Sequence, residues 1–323
     1  MTERKPSPEG VEAAAKRVAG HVVMTPLLPL EWRGVRLWVK AECLQEGGSF
    51  KLRGATNRLL LLGEAERRRG VVAFSSGNHG QGVAIAARRL GIPATIVMPS
   101  DAPAVKRDAT LAAGAEIVPY DRATQSREEI AGRLAEARGA VLVPSFDDVD
   151  IIEGQGSAGI ELRDQLGGPP DRVLIPCGGG GLSAGVALAL PESHIVTVEP
   201  EGWDDMARSI EAGEPVPVIE PAQPTRCDAL QTKLVSPLTL GALRDSGASG
   251  LWVSEAEIET AMAFAARHLR IVAEPGGAVA LAALLAGKAG VVTERTVVLV
   301  SGGNVDPELY AAILGAQAAE AER

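Results

Sequence analysis

The chain has 323 residues, 46% of them apolar and 23% charged, a balance that suits a globular protein of one large domain or two ordinary ones. Its formal charge of −9 argues against nucleic acid as a main partner, because phosphate binding needs a basic patch and the arginine run 67–69 reads as a solvated helix end. Aromatic residues are 3%, so the core must be built from Ala, Val, Leu and Ile.

The first ten residues, MTERKPSPEG, lack the apolar stretch of a signal peptide. Cys43, Cys177 and Cys227 are far apart and odd in number, with no C-x-x-C spacing. That pattern fits a reducing compartment, so a cytoplasmic location is expected, and it argues against disulfides or a zinc site. Short β-branched runs then alternate with alanine-rich helical patterns. The predicted strands are 36–41, 70–75, 94–99, 115–120, 140–145, 172–177, 194–200, 250–255 and 296–302. Helical segments between them include GQGVAIAARRLG, PAVKRDATLAAG and SREEIAGRLAEARG. This alternation implies βαβ units and a mostly parallel sheet, apolar on both faces because helices cover both. Residues 173–191 carry no charge, but four consecutive glycines interrupt them, so they read as strand, loop and buried helix rather than a membrane span. The proline-rich region around 211–240 reads as a long connection wrapped over a site.

In open α/β sheets, ligands bind beyond the carboxyl ends of the strands. Three polar loops fall there: SSGNHGQG at 75–82, CGGGGLSAG at 177–185 and SGGN at 301–304. A fourth loop, EGGSFKLRGA at 46–55, carries Lys51. The strand, glycine run and helix start at 177–185 make an anion site, with backbone N–H groups and a helix N-terminus facing a phosphate. No Lys-Ser/Thr follows the glycines, so this is not a nucleotide-triphosphate loop. Gly179-x-Gly181-x-x-Ala184 also fits a dinucleotide fingerprint, with Glu199 at about the right distance, as in an NAD-dependent oxidoreductase. Gly181-Leu-Ser183-Ala-Gly185 matches a serine-hydrolase elbow, but there the serine needs the apex of the turn, and here Ser183 falls inside the helix. In SSGNHGQG, Ser75, Ser76 and the N–H groups near Gly77 suit a carboxylate, and Asn78 suits a phenolate or carbonyl oxygen. His79 reads either as a general base or as a structural histidine hydrogen-bonded within its loop. Lys51 stands at the head of a predicted helix among small residues, where the helix dipole and desolvation both lower an amine's pKa. A neutral amine, a phosphate cradle and donors for a ring together suggest pyridoxal 5′-phosphate. On the residues alone this reading and the dinucleotide reading both stand.

GSFKLRGA, SSGNHGQG, GGGGLSAG, EPGGA and SGGN, in this order, resemble the fold-type II pyridoxal-phosphate enzymes, above all the serine/threonine dehydratases and serine racemase. The resemblance runs from about Thr25 to Asn304 and favours the pyridoxal reading over the dinucleotide one. It implies an α/β fold like the tryptophan synthase β chain, with two open, twisted, mostly parallel sheets flanked by helices. Residues 1–69 and 148–323 would form the large cofactor-binding domain, and 70–147 a small domain closing over the substrate. By resemblance, Lys51 carries the cofactor as a Schiff base and takes the substrate's α-proton, while Phe50 packs beside the ring. Asn78 meets the ring's 3-oxygen, Gly178, Gly179, Gly180, Gly181 and Leu182 cradle the phosphate, and Ser301 meets the pyridine nitrogen. Glu274 is an acid near the ring. Ser75, Ser76, Gly77 and His79 receive the substrate carboxylate, and Ser76 also matches the opposite-face acid/base of the racemases. A neutral hydroxyl such as that of Ser301 does not hold the pyridine nitrogen protonated, which weakens the ring as an electron sink and favours expulsion of a β-hydroxyl. The implied activity is an ammonia-lyase acting on L-serine, L-threonine or a related 3-hydroxy amino acid, with a racemase as the alternative.

The same resemblance implies a divalent cation, Mg²⁺ or Ca²⁺, held by Glu199, the carbonyl of Trp203 and Asp205. It also implies a homodimer taking a small amino acid, with neither nucleic acid nor membrane as partner. No regulatory domain follows SGGN, so feedback by isoleucine is not expected. The chain departs from the family pattern near the substrate. Gly47 replaces a threonine, Ser145 precedes Phe146-Asp147, Cys227-Asp228-Ala229 replaces Ala-Asp-Gly, and Trp203 takes a normally small position. These departures leave room for a bulkier or more acidic substrate.

Overall fold

The β-branched runs form two sheets in the computed structural model, which describes residues 4–75, 77–102 and 104–321. The strands are β1 (Leu27–Trp32), β2 (Val35–Ala41), β3 (Val71–Phe74), β4 (Ala94–Pro99), β5 (Glu116–Tyr120), β6 (Val141–Leu142), β7 (Arg172–Pro176), β8 (His194–Pro200), β9 (Ser249–Val253) and β10 (Thr296–Val300). Six of them make one sheet in the order β1-β2-β10-β7-β8-β9; the other four make a second, β5-β4-β3-β6. The second sheet is parallel throughout, and the first is parallel except for the antiparallel β1–β2 pair. Nine strands coincide with the predicted runs to within a residue or two, except that 140–145 pairs only at Val141–Leu142. β1 is the strand missing from the sequence reading. Pro29 interrupts its pattern, and a strand that carries proline is tolerated here because β1 is an edge.

The low aromatic content is explained by the helix Pro275–Leu285, PGGAVALAALL, whose residues 275–284 are all buried. It packs against β7, β8 and β10 and contributes much of the largest apolar cluster. Small side chains let the backbone approach the sheet closely and still exclude water. The parallel strands point their carboxyl ends at a common region. There the two loops after β2 and β10 are joined directly. Gly303 N–H donates to Gly48 O (2.9 Å), Phe50 N–H donates to Ser301 O (3.2 Å), and Ser49 bridges Gly302.

The helix Lys51–Leu60 is anchored below this junction by a buried guanidinium. Arg53 is 0% exposed and uses every donor it has. Its Nε and one terminal nitrogen reach Glu42 at 2.7 and 2.8 Å, and its terminal nitrogens reach Glu161 at 2.7 and 2.8 Å. Lys40, also fully buried, adds a bond to Glu161 (2.8 Å) and one to the Thr25 carbonyl (2.8 Å), so the cluster holds two cations and two carboxylates. Burial alone would raise the Glu42 pKa, but the charge and hydrogen bonds of Arg53 outweigh it and hold Glu42 below its ordinary value. Removing the guanidinium leaves Glu42, sealed from water, without its ion-pair partner and Glu161 with Lys40 alone. Arg53→Ala is therefore expected to cost about 3–5 kcal/mol, read as a lower guanidinium-denaturation midpoint.

Candidate active site

Lys51 is the first residue of its helix, so its amine stands at the positive end of the helix dipole. The approach is made by Gly47 at φ 77° and Gly48 at φ 71°, both in the left-handed region. A Cβ on Gly47 would also lie 2.8 Å from Ile85 Cδ1. The glycine that departs from the family threonine thus has a backbone reason of its own. Lys51 Nζ donates to the carbonyl of Ser145 (2.9 Å) and lies 5.1 Å from the Phe50 ring centroid. Part of the side chain opens to the cleft, yet its ammonium is packed closely enough that desolvation lowers its pKa from 10.5 to about 8.

The glycine run follows β7 and leads into the helix Gly181–Ala189. Gly180 adopts φ 85°, and a Cβ on Gly179 would fall 2.4 Å from the Phe146 ring, so neither position admits a side chain without displacement. Gly178 to Gly181 therefore offer bare backbone ahead of a helix N-terminus, and Leu182 is buried behind them. This fits a phosphate. Ser183 is fully buried within the helix, not at the apex of a turn, and is no hydrolase nucleophile. The dinucleotide reading fails at Glu199. Its carboxylate is 0% exposed and accepts the backbone N–H groups of Met206 (2.9 Å) and Ala207 (2.8 Å), so it faces no ribose.

Asn78 begins the helix Asn78–Leu90 and ties the loops together. Its Nδ2 donates to Glu274 Oε1 (2.5 Å), and its Oδ1 accepts from Asn304 Nδ2 (2.8 Å), which also donates to Gly47 O (2.7 Å). One network thus joins SSGN, EPGGA, SGGN and the lysine loop. Glu274 Oε2 is buried and unpartnered among the described residues, and burial, then the charge of Asp228, pushes the Glu274 pKa up to about 7. Ser301 follows β10 with its side chain buried, its backbone N–H donating to Gly277 O (3.3 Å) and its carbonyl accepting from Phe50 N–H. Ser75 Oγ accepts from Gly77 N–H (3.0 Å). Ser76 lies outside the described residues. His79 Nε2 pairs with Val143 O at 2.9 Å, and burial, then the charge of Lys51, lowers its pKa to about 3. A neutral imidazole that donates to a carbonyl is a poor base, so the geometry agrees with the structural reading of His79. Its Nδ1 remains a buried, unpartnered acceptor among the described residues.

Glu199 and Asp205 come together at the start of the helix Asp205–Ala212. Both are fully buried, and both oxygens of Asp205 lack partners among the described residues. Desolvation pushes Asp205 up to about 7 and Glu199 well above its ordinary value, with the charge of Asp205 adding to the latter. No three or more His, Cys, Asp or Glu side chains are grouped for a metal among the described residues. The expected set needs two side chains and a carbonyl; the unpartnered oxygens are those of Asp205, of the kind that suits a hard cation, whereas both Glu199 oxygens already accept backbone N–H groups. Trp203 is held by its Nε1, which donates to Gln223 O (2.7 Å), and so clamps the proline-rich connection beside this pair.

One residue of the cleft escaped the sequence reading, and a second, Thr232, aligned only loosely with a substrate-side loop position of the family. Lys106, in PAVKRDATLAAG, looks like one more polar residue on an amphipathic helix, yet it is buried and ion-paired to Asp228, 122 positions away. Thr232 faces the glycine run, 3.2 Å from where a Cβ on Gly178 would lie. Only the long-range packing of the two sheets brings these groups into the cleft. No helix among the described residues is long and apolar enough to cross a membrane.

Comparison with known proteins supplies the context of this geometry. The family model described as "Pyridoxal-phosphate dependent enzyme" matches residues 18–303. An L-threo-3-hydroxyaspartate ammonia-lyase of Pseudomonas sp is 44% identical over 93% of this chain and 96% of its own length. The crystal structure of a threonine deaminase from T.th. is 42% identical, with a TM-score of 0.85, covering 93% of this chain and 99% of that one. The maize serine racemase structure superposes with a TM-score of 0.89 at 34% identity, covering 99% of this chain and 100% of that one.

The lowered pKa of Lys51 has a measurable consequence. The neutral fraction reaches one half near pH 8 instead of near 10.5, and it grows as pH rises. The rate at which cofactor-free protein captures pyridoxal phosphate should therefore rise through about pH 8 and level off above it, followed by visible absorbance.

Proposed function

Because the chain belongs to the pyridoxal-phosphate dependent enzymes, we propose that it is an ammonia-lyase for a 3-hydroxy amino acid. The observation that carries this reading is Lys51: a desolvated amine at a helix N-terminus, in a loop bonded through Asn304 and Asn78 to SGGN, SSGN and EPGGA. The cofactor, when bound, supplies an electron-withdrawing ring that stabilises charge left at the substrate's α-carbon. Lys51 Nζ accepts the α-proton. The N–H groups from Gly178 to Gly181 would hold the phosphate, Asn78 and Ser301 would orient the ring, and Phe50 would pack beside it. The loop around Ser75, Gly77 and Asn78 receives the α-carboxylate. The substrate loses its α-proton and β-hydroxyl as water, and a water then hydrolyses the resulting imine, so that the amine leaves as ammonia and the net products are a 2-oxo acid and ammonia. Residues 70–147 act as the unit that closes over the substrate, against 1–69 and 148–323.

Among substrates we favour an acidic one, threo-3-hydroxyaspartate, which yields a four-carbon 2-oxo dicarboxylate. The 44% identical relative with that activity supports this choice. L-serine and L-threonine follow. A racemase reading draws on the likeness to the maize serine racemase, and chiral analysis of recovered substrate separates it from elimination.

The test is a panel of 3-hydroxy amino acids assayed for ammonia and 2-oxo acid. Lys51→Ala should lower turnover by ~1000-fold or more and remove the visible band of protein-bound cofactor. Wild-type protein that releases neither product from any of them would sink the proposal.

We further propose that Glu199, Asp205 and the Trp203 carbonyl hold Mg²⁺ or Ca²⁺. Saturating ion should raise Tm by about 5 °C, and Asp205→Asn should abolish the response. An equal rise in both proteins would instead indicate a cation bound elsewhere.

A further inference from the structure

Lys106 and Asp228 face each other across the cleft, and the proposed reaction uses neither. Lys106 belongs to the helix Ala104–Ala112, which packs with the four-stranded sheet. Asp228 begins the short turn Asp228–Leu230, in the long connection over the six-stranded sheet. That turn lies on the glycine run: a Cβ on Gly178 would be 3.1 Å from Leu230 Cα. Lys106 lies on the carboxylate loop, where a Cβ on Gly77 would be 3.4 Å from its Nζ. Both residues line a cavity of about 580 Å³ that also touches Gly48, Gln81 and Asn304.

The two ends of this ion pair are not equivalent. The Lys106 side chain is 10% exposed, whereas that of Asp228 is 42% exposed. Asp228 can turn into water at little cost, but an ammonium in the cleft needs an anion beside it. Arg226 also lines this cavity and pairs with Glu259, whereas Arg127 is not among the lining residues and lies over the Phe74 ring beside Glu128.

We infer that Lys106 is the receptor for a second, distal carboxylate on the substrate, which takes the place of Asp228. The inference rests on the lyase reading above and names the residue that selects a dicarboxylate. A substrate with a neutral side chain leaves the Lys106–Asp228 pair intact. One with a distal carboxylate displaces Asp228 toward solvent, and the ammonium keeps one anionic partner throughout. Lys106 thus sets specificity without touching the reacting bonds.

The experiment compares holoenzymes carrying Lys106→Met, Lys106→Arg, Asp228→Asn and Arg127→Met. For threo-3-hydroxyaspartate, Lys106→Met should lower kcat/KM by about 30-fold or more, chiefly through KM, with partial recovery in Lys106→Arg. For L-serine the same variant should change kcat/KM by less than about 3-fold. Asp228→Asn removes the competing anion and should lower KM for the dicarboxylate. Equal loss for both substrates in Lys106→Met overturns the proposal, as does a selective loss in Arg127→Met alone. If Lys106→Met does not fold, Asp228→Asn decides, and a KM for the dicarboxylate that rises or stays unchanged overturns it.

A binding arm separates this inference from the lyase reading. Succinate should raise the Tm of wild-type holoprotein but not that of Lys106→Met. That difference, seen in a protein without lyase activity, would retain the carboxylate receptor and discard the reaction. Lyase activity with identical succinate shifts in both proteins would do the reverse.

Discussion

The buried pairing of Arg53 with Glu42 and Glu161 is the interaction on which the candidate active site depends. Arg53 lies two residues after Lys51 on the same helix, and its two carboxylates come from the segment after β2 and from the helix Val149–Leu166. The guanidinium therefore joins three separate stretches of chain with bonds of 2.7 and 2.8 Å. An apolar contact could hold these elements together, but it would not fix their rotation. A doubly bidentate guanidinium does, because its planar fork accepts each carboxylate in one orientation. The desolvation cost of four buried charges is offset only in that arrangement. Helix rotation, and with it the direction of Lys51, is thereby specified.

Above this anchor the site is assembled from loops that have no regular structure of their own. Bare loops at the ends of strands usually move, yet these are tied by Asn304, which reaches both Gly47 and Asn78, and by Asn78, which reaches Glu274. Side-chain amides suit this task because each offers donors and an acceptor in one plane. The ties join the four-stranded and six-stranded sheets at one corner of the cleft. The Lys106–Asp228 pair joins them at another. The first set is built on side-chain amides, whereas the second is an ion pair and, on the inference above, can be exchanged for a charged ligand.

Much of this architecture was legible in the sequence because it follows from local pattern. Each parallel strand is a short β-branched run, and each loop after such a strand is marked by glycine or serine, so strand order along the chain and the location of the site could both be read. β1 was hidden by Pro29, which edge position excuses but periodicity cannot reveal. The arrangement into two sheets depends on pairings such as β10 between β2 and β7, contacts between segments more than a hundred residues apart. Lys106 and Arg53 illustrate the same limit. Each sits in a helical pattern as an ordinary polar residue, and its burial comes from chain far away in sequence. Gly47 is the converse case. The family resemblance marks it as a departure near the substrate, but its positive φ and the nearness of Ile85 supply a sufficient local cause.

The electrostatics of the cleft follow from one economy. Four helices begin at the motif loops: Lys51–Leu60, Asn78–Leu90, Gly181–Ala189 and Pro275–Leu285. Their N-termini present unpaired N–H groups and positive dipole ends, which attract phosphate and carboxylate without any charged side chain. Anion binding is thus delegated to the backbone, and the ionisable side chains are free to sit close to neutrality. Desolvation moves three of them that way: Lys51 to about 8, Glu274 to about 7 and His79 to about 3. An amine near neutrality both captures an aldehyde and exchanges protons at moderate pH, which a fully charged lysine does poorly. The ring nitrogen's expected neighbour, Ser301, continues the pattern, since a hydroxyl adds no charge where a carboxylate would. A weaker electron sink suits a substrate whose own β-hydroxyl can leave and carry the electron pair away. On this reasoning the elimination proposed above would follow from how few formal charges the cleft keeps among the described residues, and the Lys106–Asp228 pair is where the proposed charged substrate would be distinguished from a neutral one.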